Sequence, residues 1–134
     1  MTFKTLLVTK AAVCLVFGVL LLFIPGWIYG LMGASLGAAG TFAAREYAAA
    51  MFGTIMLTWF ARNVAAPDAR RAILLDLFLY DAIGVVITVM VLFSGVFNAL
   101  GWTIVGVYLV FAAGSGYLLL EARQAPRTRS TQPA

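Results

Sequence analysis

Histidine is absent from this chain. That removes histidine-ligated haem, imidazole zinc sites and imidazole acid–base chemistry. Cysteine occurs once, at Cys14. An intrachain disulfide therefore has no second half, and no Cys-x-x-Cys redox motif exists. Val13 is a poor residue to precede a lipidated cysteine, so a lipoprotein box is not read here. Charge is also scarce. Only 10% of residues are Asp, Glu, Lys or Arg, and five of these are acidic. No group of residues has metal-ligand spacing, and no nucleophile–base pair can be picked out. No catalytic residue, metal or cofactor is expected on these grounds.

Apolar residues are plentiful. They make up 63% of 134 residues, with 10 phenylalanines. A water-soluble domain of this length would have to expose much of that surface as greasy patches. A bilayer removes the conflict. About 20 apolar residues cross its hydrocarbon, so the length suits four crossings with no room for a separate soluble domain. The runs do not alternate, which excludes a barrel and leaves helices. The expected fold is all-α: an integral membrane four-helix bundle over residues 1–122. Its spans fall near 4–24, 42–60, 70–93 and 100–120. The first run has the look of a signal peptide. It is long for one, and bulky Trp27, Tyr29 and Met32 precede the small residues Gly33-Ala34-Ser35, so it reads as an uncleaved helix. Pro25-Gly26 stops it, Trp27 and Tyr29 suit an interface, and 30–40 is a Gly/Ala-rich connector. Thr41 and Asp68 are candidate N-caps for the second and third spans. Residues 123–134 read as a disordered basic cytoplasmic tail.

The net charge of +4 does not point to nucleic acid, because the cations flank the spans. With four crossings, one side collects Lys4, Lys10, Arg62, Arg70, Arg71, Arg123, Arg127 and Arg129. The other keeps Arg45 alone. The positive-inside rule then puts both termini in the cytoplasm.

Polar residues inside the spans are the candidates for function. Asp81 lies about 15 Å along its helix from Arg71, near the midplane. A carboxylate there costs roughly 2.5–3.5 kcal/mol, so it must face other helices or a wet cavity. Asp76, Tyr80, Asp81, Gly84 and Thr88 share one arc at helical spacing, with Leu77, Leu79, Val86, Val89 and Met90 opposite. Asp76, only a turn or so from Arg70-Arg71, is expected to reach interfacial water or to pair with Lys10 of the first span. By depth the candidate partners of Asp81 are Cys14, Gly53, Thr54 and the Tyr80 and Tyr117 hydroxyls, with Lys10 added if the helices tilt. Arg45 and Glu46 share faces with the small residues Ala49, Gly53, Ala50 and Thr54, and suggest a polar pair at an outer mouth.

Several segments also carry a likeness. They are the Ala44-Arg45 start of the second span, Trp59-Phe60-Ala61-Arg62-Asn63, Arg70-Arg71-Ala72-Ile73-Leu74, and Ser94-Gly95-Val96-Phe97-Asn98-Ala99-Leu100-Gly101-Trp102. Over about the last two-thirds of the chain this pattern resembles a class of small, mostly uncharacterised bacterial four-helix membrane proteins, DoxX-like in appearance. The resemblance implies a multi-pass protein of the bacterial cytoplasmic (inner) membrane, not an activity. The reading expected first is a non-enzymatic accessory or structural subunit. The alternative is a small carrier, or a quinone- or lipid-binding protein, that uses Asp81. The partners these readings admit are the lipid bilayer, subunits of a membrane complex or a second copy, and a quinone or lipid ligand.

Overall fold

The computed structural model describes residues 1–124. These form five helices: α1 (Phe3–Phe23), α2 (Pro25–Leu31), α3 (Ala38–Ala61), α4 (Pro67–Phe93) and α5 (Gly101–Gln124). No strand occurs among the described residues. The segments Phe3–Phe23, Pro67–Phe93 and Gly101–Ala122 are long and apolar enough to cross a membrane. α3 matches them in length, but Arg45 and Glu46 in its second and third turns lower its apolar content. The expected disordered tail begins within α5, and residues 125–134 lie outside the described part.

Local chemistry explains the breaks. Thr2 caps α1 by accepting from the Thr5 N–H at 3.2 Å. α1 ends at Ile24 because Pro25 follows. The residue before a proline is pushed out of the helical region, and Ile24 sits at φ −132°, ψ 49°. Pro25 then serves as a first helical residue, where its missing N–H costs nothing. The result is the short α2, where the sequence suggested only a stop and an interfacial connector. Two cap expectations also change. α3 starts after Gly37 rather than Thr41. α4 starts with Pro67 after Ala66, so Asp68 lies in its first turn, facing the positive end of the dipole.

The helices associate as two pairs. α1 packs along α3, and α4 packs along α5. The pairs meet along α1 and α5, while α3 and α4 stand apart and are bridged by long side chains. Packing is uneven along the bundle. At the end holding the N-terminus, Leu6, Leu7, Leu74, Leu77, Phe111 and Leu118 close a continuous core. At the other end, Leu21, Ile28, Met32, Ala44 and Ala48 pack as a separate cluster. Leu77 thus belongs to the core and not to the lipid side, since the buried face of α4 runs Leu74, Leu77, Asp81, Thr88. Leu79, Val86 and Met90 do face outward. Around the bundle, Phe23, Phe42, Phe60, Met90, Phe93 and Val110 are each more than half exposed. An apolar exterior of this extent suits lipid rather than water.

Candidate functional site: a cavity with a polar floor

Asp81 is fully buried and Lys10 is 3% exposed. Lys10 Nζ donates to Asp81 Oδ1, and the contact joins α1 of one helix pair to α4 of the other. The expected Lys10–Asp76 pair is not made. Residues 76 and 81 lie about 140° apart on a helix, so turning Asp81 into the bundle turns Asp76 out, and Asp76 is exposed. The lysine therefore reaches the deeper carboxylate. Its ammonium also lies 4.6 Å from the centre of the Phe111 ring and 5.1 Å from that of Tyr80. Both rings present negative faces to a cation in a low-dielectric setting. Asp81 Oδ2 is buried without a hydrogen-bond partner among the described residues.

A second polar cluster sits beside this pair. Tyr47 of α3 hydrogen-bonds through its hydroxyl to the hydroxyls of Tyr80 on α4 and Tyr108 on α5, the latter at 2.7 Å. Tyr80 and Tyr108 meet edge to face, with ring centres 6.3 Å apart. The approach of α5 to α4 depends on Gly84. A Cβ at that position would lie 2.7 Å from the Tyr108 ring. Tyr47 and Tyr108 were not singled out in the sequence. Tyr108, near the middle of its apolar run, carried a signal, since a phenol there needs a partner; Tyr47, next to Arg45-Glu46, carried none. Tyr117, a sequence candidate for Asp81, is 59% exposed and takes no part.

Arg45 and Glu46 are both exposed, and neither lines the space between the helix pairs. Arg45 donates from Nε to the Leu22 carbonyl at 3.2 Å, which satisfies one of the free carbonyls at the end of α1. The next residue, Tyr47, takes the inward position, flanked by buried Ala44 and Ala48.

Between the helix pairs lies a cavity of about 620 Å³, inside the usual size range of small-molecule sites. Lys10, Tyr80 and Tyr108 line one end of it, and Tyr47, which packs with the cluster at the other end, reaches both tyrosines with its hydroxyl. Along α1 the cavity extends from Lys10 to Leu21, roughly 16 Å at 1.5 Å per residue. The far end is mainly apolar, with hydroxyls at Tyr29 and Ser35, and is bounded by α2 and the connector after it, and by Val96 and Phe97 of the α4–α5 link. Asn98 ties the two loops at that end together. Its N–H donates to the Met32 carbonyl at 2.7 Å, and its side-chain amide donates to the Leu31 carbonyl at 2.9 Å. Cys14, the only cysteine, is on the cavity wall.

No family model matches the chain, and neither does any curated protein or solved structure.

Proposed function

We propose that this chain is a four-crossing protein of the bacterial cytoplasmic membrane that holds an amphiphile, a quinone or a lipid, between its helix pairs. One observation carries the reading: a deep apolar cavity that ends on a lysine and three tyrosines. Such a shape suits a molecule with a long apolar part and a small polar end. A structural bundle would be expected to fill the space between its helix pairs with side chains of its own, as the end holding the N-terminus does.

Three helices have the length and apolar character for crossings. For α3, support comes from its packing along α1 and from outward-facing Phe42, Met56, Leu57, Trp59 and Phe60. The excess of basic residues at one end of the bundle supports cytoplasmic termini. Arg62 and Arg70 there turn to the carbonyls of Trp59 and Val64, near the end of α3. The DoxX-like resemblance supports the bacterial location.

The protein is read as a binder or carrier rather than an enzyme, because the two charged groups at the site, Lys10 and Asp81, are committed to each other. The accessory-subunit reading is favoured by one feature, the Lys10–Asp81 contact, which would staple the two pairs together in a purely structural protein. Native mass spectrometry of gently extracted protein separates the two. One quinone- or lipid-sized adduct per chain supports the binder. A bare chain bound to other subunits supports the accessory role. Topology is tested separately: alkaline phosphatase fused after Ala134 should be inactive, and an active fusion would reverse the orientation.

A further inference from the structure

The polar end of the cavity carries two formal charges of opposite sign in direct contact, so its net charge is zero. Its hydrogen-bonding capacity is not balanced in the same way. Lys10 has three N–H donors, and one is taken by Asp81 Oδ1. The three tyrosines bring three O–H donors to two hydroxyl–hydroxyl contacts, so at least one proton has no acceptor within the cluster. The carboxylate oxygen left over, Asp81 Oδ2, lies on a fully buried residue that is not part of the cavity wall. The phenol oxygens keep lone pairs of their own, but these are neutral acceptors, whereas the free Lys10 N–H groups are charged donors, so an occupant meets its strongest spare groups as donors, with no net charge.

We propose that the cavity selects an uncharged amphiphile whose head carries hydrogen-bond acceptors, such as a ring carbonyl or an ester, and rejects amphiphiles with a charged head. This rests on the binding role proposed above and names its ligand class. An anionic head would bring a net negative charge into the middle of the bundle, where uncompensated charge is costly. A cationic head would meet Lys10. A ring carbonyl or an ester carbonyl accepts from the free tyrosine or lysine protons without changing the charge.

The test uses the whole protein in nanodiscs of zwitterionic lipid. The probes are methyl palmitate, decylubiquinone, hexadecanesulfonate, hexadecyltrimethylammonium and hexadecane. Two readouts run in parallel: thermal stabilisation, and slowing of Cys14 alkylation by N-ethylmaleimide, which locates binding at the cavity wall. Methyl palmitate and decylubiquinone should give both effects, and the tighter of the two tells an ester-headed from a quinone-headed ligand. The two charged probes should bind at least about tenfold more weakly. Hexadecane, with no head, should also bind more weakly. Equal or tighter binding of the sulfonate, the ammonium or hexadecane would overturn the selectivity while leaving the cavity a binding site. Failure of every probe to protect Cys14 would overturn the binding role itself. In Asp81→Asn the site gains a net positive charge, and the preference should move toward the sulfonate by about tenfold or more. A folded Asp81→Asn protein with unchanged preference would overturn the charge argument. If that variant does not fold, the wild-type ranking decides alone.

Discussion

Replacing Gly84 by alanine sets two effects of known size against each other. Alanine is the better helix former, by about 1 kcal/mol in a helix interior. The added methyl, however, would lie 2.7–2.8 Å from three atoms of the Tyr108 ring. Ordinary contact needs close to 3.5 Å or more between carbons, so the ring must retreat by nearly 1 Å. Tyr108 is not free to do so, because its hydroxyl is held by Tyr47 at 2.7 Å and its ring meets Tyr80 edge to face. Overpacking of this kind costs about 1–3 kcal/mol, and losing the Tyr47 bond adds about 0.5–1.5 kcal/mol. The expected balance is a net destabilisation of about 1–3 kcal/mol. Gly106→Ala provides the control. It lies on the neighbouring helix α5, and a Cβ there meets nothing within 4 Å. That change should be neutral or mildly stabilising. Denaturant titration of both variants in mixed micelles, followed by helical circular dichroism, reads the difference. If Gly84→Ala proves as stable as Gly106→Ala, the close approach of α4 and α5 at Tyr108 is wrong.

Lys10→Met strands a buried carboxylate and should cost about 3–5 kcal/mol, with much of that recovered when Asp81→Leu is added; additive losses in the same titration would remove the pair. Asp76→Asn should show no coupling to Lys10→Met, since Asp76 faces outward. Tyr47→Phe removes the hub of the tyrosine cluster and should cost about 1–3 kcal/mol, whereas Tyr117→Phe, at an exposed ring, should be silent in the same assay. Arg45→Ala frees the Leu22 carbonyl and should speed amide exchange in the last turn of α1, leaving the Lys10 region unchanged.

Hydropathy alone reveals the all-helical class, because a long apolar run has one way to satisfy its backbone in lipid; it reads four spans, of which three are helices long and apolar enough to cross a membrane. The prominence of Asp81 is equally legible, since a carboxylate at mid-span has to be accommodated. The pairing of α1 with α3 and of α4 with α5 is not legible. Each helix is apolar on most sides, so periodicity barely marks the face that packs. That is why Leu77 looked lipid-facing and why Asp76 looked like the lysine's partner. A small rotation of α4 decides which of two carboxylates about 140° apart meets Lys10, and the sequence carries no term for it. α2 was missed because Pro25 is read first as a helix stop, although it is also a good first residue of a helix. Tyr47 and Tyr108 were missed because a lone tyrosine on an apolar helix gives no sign of its partners. Only the fold brings the three hydroxyls together. The cavity is the least legible feature of all, since it is a mismatch in packing between helix pairs, not a property of any one helix.

The most direct test of the central claim is native mass spectrometry of the wild-type protein beside Ile104→Trp, both released from membranes under the same mild conditions. Ile104 is on the cavity wall and only partly buried, so the larger ring fills space the ligand would need. The account predicts one bound amphiphile per wild-type chain and none on the folded variant. A bare wild-type chain, or an adduct that persists on the variant, would contradict it.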